Sequence, residues 1–208
     1  MYKTSTFSKL KVFTAALSAG IILSGISAPV FAAKPDWANK SEATIVQTAV
    51  GLSGVPFTYD ANGQDFDILV AAVVTTGYDL DPLNGEEDYT VFAPVDDAFT
   101  AVADALNGED PLVDLNGNGS VEDEAVDILV GALGAGGIRD VLDYHVTDGV
   151  RISRSVTTAS KLTMLDGNTI TARQGFIEAI GSDADLLLLD LRVADGIIHV
   201  IDTVLLPF

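Results

Sequence analysis

Gly196-Ile197-Ile198-His199-Val200-Ile201-Asp202-Thr203-Val204-Leu205-Leu206-Pro207-Phe208 is the stretch on which the fold turns, read together with Tyr89-Thr90-Val91-Phe92-Ala93-Pro94-Val95-Asp96-Asp97-Ala98-Phe99. Ile197 to Leu206 is an apolar, β-branched run of strand character, and Leu186 to Val193 precedes it as a second such run. Tyr89 to Ala93 is β-branched and aromatic, again a strand, and Pro94, which has no N–H to donate, stops its ladder. Asp96 or Asp97 then caps a helix whose Phe99, Val102 and Leu106 line one face.

Outward from these two segments the periodicity is helical first and strand-like later. Phe66, Leu69, Val70 and Val73 share one helical face, and Gly77 ends that helix. Val126, Leu129, Val130 and Leu133 give the same period over Glu122 to Leu133, and Ile138, Val141, Leu142 and His145 repeat it after Gly136-Gly137. Leu162 to Leu165 and Thr169 to Ala172 flank Asp166-Gly167-Asn168, a tight hairpin turn. Helices early and strands late argue an α+β domain with an antiparallel sheet, and argue against a βαβ repeat.

The two opening segments resemble the first and second homology boxes of the fasciclin (FAS1) domain family. Val141-Leu142-Asp143-Tyr144-His145-Val146 is similar to that family's Tyr-His segment, and Leu165 to Ile170 to its central hairpin. The resemblance runs from Phe66 to Pro207. It implies a wedge-shaped antiparallel β-sandwich flanked by a layer of α-helices, and a non-catalytic, secreted adhesion module. The resulting organisation is a secretory signal peptide over 1–32, a lead-in over 33–63 and a fasciclin domain over 64–208. In the lead-in, Ile45, Val46, Ala49 and Val50 are spaced to dock a helix on the domain.

Composition agrees with export. Lys3, Lys9 and Lys11 precede an apolar stretch, Val12 to Ile26, and Val30-Phe31-Ala32 supplies the small residues of a cleavage site. Its removal takes three of the 11 basic residues and none of the 30 acidic ones, so the mature chain is more acidic than the formal −19 of the whole. Such a surface repels polyanions, which excludes nucleic acid and electrostatic attachment to anionic lipid, and it makes salt favourable to the fold. With no cysteine, the core alone must hold the domain together. The expected location is secreted, extracellular or periplasmic, with no integral membrane segment after cleavage.

Three groups of side chains are candidate sites. Asp114, Asn116, Asn118, Ser120 and Glu122 have the spacing of an EF-hand-like calcium loop, with Gly119 at the sharp turn. Ala125 stands where the bidentate carboxylate belongs, and a solvated polar loop is the competing reading. Tyr144 and His145 offer an adhesive surface, against a packed core histidine, since His145 falls on the apolar side of its helix. Asp190 and Leu191 occupy the positions of the Asp-Ile pair that the family resemblance associates with integrin binding; an outward-facing position on an edge strand explains Asp190 equally. His199 is solvent-facing or hydrogen-bonded within the sheet. With two histidines and no cysteine, zinc chemistry is disfavoured, and no nucleophile elbow or phosphate loop is present.

The function expected is adhesion to, or interaction with, cell-surface or extracellular-matrix protein or polysaccharide, with homo-oligomers for avidity. No cofactor is required, and calcium is the candidate ion. The alternatives are a calcium-dependent interaction module using the 114–124 loop and a carbohydrate-active enzyme using a carboxylate pair.

Overall fold

Strand β7 (Gly196–Ile201) is buried at all six of its residues, because it has a strand on either side and both of its faces are covered. The computed structural model describes residues 42–53, 59–78, 88–108, 111–115, 117–158, 160–173 and 175–208. The expected signal peptide and part of the expected lead-in lie outside these residues. In chain order the elements are α1 (Ile45–Leu52), α2 (Asp67–Thr76), β1 (Tyr89–Pro94), α3 (Asp96–Asn107), α4 (Glu122–Asp143), β2 (Val146–Asp148), α5 (Ser153–Val156), β3 (Ser160–Thr163), β4 (Thr169–Arg173), β5 (Phe176–Glu178), β6 (Asp183–Val193) and β7.

The strands are ordered β2-β1-β7-β6-β5-β4-β3. Strand β6 joins the two halves: Asp183 to Asp185 pair with β5, and Leu186 to Val193 pair with β7 through two register shifts. Phe92 of β1, Leu162 of β3, Ile170 of β4, Ile177 of β5 and Ile201 of β7 all belong to one buried cluster. Strands from opposite ends of the order thus share a core, so the sheet doubles over at β6 into a sandwich. The α+β expectation holds, with one departure from a purely antiparallel sheet. Strands β1 and β7 run parallel, Val91 opposite Ile198, which their long intervening connection permits.

A second apolar layer covers the helical side. Ile68 and Ala71 of α2, Phe99 of α3, Leu129, Ile138 and Val141 of α4 meet there with Leu206. Helix α1 forms where the lead-in pattern places it, capped by Thr44 in a capping box with Gln47, and tied to the β6–β7 turn by Ile45 N–H to Asp195 Oδ1 at 2.7 Å.

Three sequence expectations shift in detail. Helix α4 breaks at Gly134 (φ 63°), so Gly136-Gly137 lie inside its second segment. The ladder does not stop at Pro94: Pro94 pairs with Ile201, and Val95 N–H donates to the Ile201 carbonyl at 3.2 Å. Along β1 successive N–H groups alternate sides, so the one Pro94 lacks would face away from β7, beyond the end of β2. The third shift concerns Asp96, whose side chain does not cap its own helix.

Candidate functional site

Asp96 caps a different helix. Its two carboxylate oxygens accept from the Asp67 and Ile68 N–H groups of α2, at 2.8 and 2.9 Å, where Phe66 at the N-cap offers no oxygen. The loop before α2 is strapped to the start of α3 by Asp96 N–H to Asp65 C=O (3.1 Å), Asp97 N–H to Gly63 C=O (2.8 Å) and Gln64 Nε2 to Asp97 Oδ2 (2.6 Å). A Cβ at Gly63 would lie 1.8 Å from Asp97 Oδ1, so any larger residue there would displace the Asp97 side chain from Gln64.

The strap gathers carboxylates. Asp65, Asp67 and Asp96 have oxygens within 4.8 Å of one another, and so do Asp60, Asp65 and Glu122. All but Asp60 are buried. Desolvation, before any other cause, raises Asp96 to about 9, Glu122 to about 7 and Asp67 to about 6, and neighbouring carboxylates add to it. Sequence reading missed this group except for Glu122. The available signal was the close spacing of Asp60, Asp65 and Asp67 ahead of an apolar helix, with Asp96-Asp97 set in an otherwise apolar strand–helix joint.

Of the expected calcium-loop residues that are described, Glu122 is directed away from the others. Asp114 accepts from Gly117, Asn118 and Gly119 N–H groups, which closes the loop on itself. Ser120 N–H donates to Asn118 Oδ1, and Ser120 Oγ accepts from Glu122 N–H. The Glu122 side chain leaves the loop altogether, and its Oε2 accepts from Asp60 N–H at 3.1 Å. Asn116 lies outside the described residues.

Tyr144 and His145 form no surface, being 0% and 3% exposed. His145 Nδ1 lies 2.7 Å from the Val141 carbonyl, and Nε2 accepts from Leu205 N–H at 2.9 Å, so the ring joins α4 to the C-terminal segment as a core histidine. Burial lowers its pKa to about 4. The Tyr144 hydroxyl accepts from Ile180 N–H at 3.1 Å.

Asp190 lies on the Leu186–Val193 part of β6, which pairs on one side only, with β7, as the edge-strand expectation has it; at 9% exposed it is neither outward-facing nor part of an adhesive surface. It sits in the second register shift of β6 with φ 62°, and its Oδ1 accepts from Ser153 N–H at the start of α5. Asp190 N–H donates to His199 Nδ1 at 3.1 Å, while His199 Nε2 lies 2.7 Å from the Arg151 carbonyl. His199 is therefore the hydrogen-bonded member of the sheet, fully buried, with its ring 5.6 Å from that of Phe92. Leu191 beside it is half-buried opposite Ile198.

Comparison with known proteins places this architecture. The family model for the fasciclin domain matches residues 64–207. The protein sll1483 of Synechocystis sp. is 30% identical over 170 residues, covering 82% of this chain and 77% of its own. Transforming growth factor-beta-induced protein ig-h3 of Sus scrofa is 29% identical over 142 residues, which cover 68% of this chain but 18% of that longer protein. Among solved structures, a FAS1 domain pair from the insect cell adhesion molecule fasciclin I aligns with TM-score 0.42 and 16% identity, covering 65% of this chain and 43% of that one. On the family match and the Synechocystis relative, this chain belongs to the fasciclin domain family.

Proposed function

We propose that the protein is an exported, non-catalytic fasciclin module that binds cell-surface or extracellular-matrix protein or polysaccharide. Fasciclin domains serve adhesion and extracellular interaction, and one structural observation supports the non-catalytic part of this reading. Both histidines are buried with each ring nitrogen engaged by a backbone group, so neither is free to act as a general base. The Tyr-His and Asp190 segments hold the fold together, so the binding face lies elsewhere on the exterior. No helix among the described residues is long and apolar enough to cross a membrane. A single domain gains useful avidity through dense display.

The test is retention of protein-coated beads on surface polysaccharide and surface protein from the producing cells. Folded protein should be retained and heat-denatured protein should not. Equal retention of the two, or release of sugar from the polysaccharide, overturns the reading.

A further inference from the structure

We propose that Asp60, Asp65, Asp67, Asp96 and Glu122 form a calcium site where the N-termini of α2, α3 and α4 meet. This inference does not depend on the adhesive reading. Its starting point is Asp67, which is 3% exposed and points both carboxylate oxygens into the cluster with no hydrogen-bond partner on either. Asp65 Oδ1, on a side chain 6% exposed, likewise lacks a partner. Buried carboxylate oxygens without donors are among the costliest groups a fold can hold, and the usual remedies are a donor, a proton or a cation.

Protein cations among the described residues do not supply the remedy. Among the described residues the side-chain salt bridge is Arg173 with Glu178, on β4 and β5. Arg139 donates to the Thr76 and Gly77 carbonyls at the opposite end of α2. Helix ends supply part of it. Asp67, Asp96 and Glu122 are each the first residue of a helix, and each helix start carries roughly half a positive charge. Three such ends offset about one and a half of the five negative charges, which leaves a large excess. Protons relieve part of the remainder, most persistently on Asp96, whose carboxyl is hydrogen-bonded to that of Asp65, but Asp67 and then Glu122 ionise as pH rises through neutrality and restore much of it.

The geometry suits a hard dication. Two oxygens on one calcium ion, each at about 2.4 Å, can lie no more than about 4.8 Å apart. The two carboxylate triads meet that limit, and Asp65 belongs to both. Calcium fits better than magnesium. It accepts irregular cages of protein oxygens, whereas magnesium holds its own waters in a strict octahedron that a closed pocket crowds out. Asp60, the one exposed member, marks the route of entry. Glu122 thus serves calcium from a different place than its loop spacing implies.

Calorimetric titration of chelator-treated protein with calcium tests the site. Saturable binding is expected, weakened roughly tenfold or more in Asp67→Asn and in Glu122→Gln, and changed by less than about twofold in Asp114→Asn. Asp67→Asn should also raise the calcium-free melting temperature, because it removes an uncompensated buried charge. Should Asp67→Asn fail to fold, the exposed Asp60→Asn carries the same expectation for affinity. No saturable binding up to about 10 mM calcium overturns the proposal. So does binding lost in Asp114→Asn but kept in Asp60→Asn and Glu122→Gln, which would put the ion in the surface loop. Displacement by equimolar magnesium overturns the choice of calcium.

Discussion

Asp190 shows how much one residue can be asked to do. It is the non-glycine residue with positive φ among those described, and its carboxylate spends itself on the Ser153 N–H. Asp and Asn tolerate this backbone conformation better than other side chains with a Cβ. Asp190→Ala should therefore cost about 2 kcal/mol in urea unfolding, by adding strain and leaving a backbone donor unmet, whereas Asp190→Asn should cost about 1 kcal/mol or less. His145 carries a comparable burden. His145→Leu leaves Leu205 N–H without an acceptor in the core, at about 1–3 kcal/mol. At this scale the sequence was only half legible. The apolar spacing around His145 predicted its burial correctly, but nothing in the run Leu186 to Leu191 announced that β6 would bulge at Asp190 and turn its carboxylate inward. A bulge is a property of the strand pair, and only the register against β7 reveals it.

At the scale of elements, the parallel β1–β7 pairing depends on Gly196. A Cβ there would lie 2.0 Å from the Tyr89 carbonyl oxygen and 2.9 Å from Tyr89 N, and backbone atoms on a paired strand cannot give way. Gly196→Ala should cost about 3 kcal/mol or more, read by thermal and urea unfolding. The elements themselves were the readable part of the chain. Their apolar periods placed α2, α3, β1 and the β3–β4 hairpin, because one-sided burial writes itself into the sequence. Capping across elements was not readable. Local spacing offers Asp96 or Asp97 as the cap of the helix they begin, while the oxygens of Asp96 serve α2, a partnership set by tertiary contact and invisible to that spacing. The five-carboxylate group is the sum of such contacts, which is why only its Glu122 stood out in advance.

For the whole molecule these local shifts combine into a bell-shaped dependence of stability on pH in the presence of chelator. The folded state holds protons on Asp67, Glu122 and Asp96 that the unfolded chain has released. The stability this gives is full in acid and is lost as pH rises through about 6, 7 and 9. Asp60 and Asp65 act on the same group, Tyr59 lies beside Asp67 and Asp96 and is reached in turn by Asp123 and Asp127, and all of these add negative charge or none. The histidines act with the opposite sign. Folded His145 stays neutral down to about 4 and His199 is also lowered, so stability falls as pH drops below the ordinary 6.5. Above neutrality both histidines are uncharged in either state, and the decline in melting temperature between pH 7 and pH 9 reports the carboxylates alone. Saturating calcium should flatten that decline, and an equal slope with and without the ion would contradict it. The parallel pairing has a different consequence, one of time. Strand β1 lies between β2 and a partner that is synthesised roughly a hundred residues later. Until β7 leaves the ribosome, β1 has an open edge, β6 lacks a neighbour and the doubled sheet cannot close. Contacts so distant along the chain make for slow, late folding, and a nascent domain of this topology stays unfolded until β7 has been synthesised.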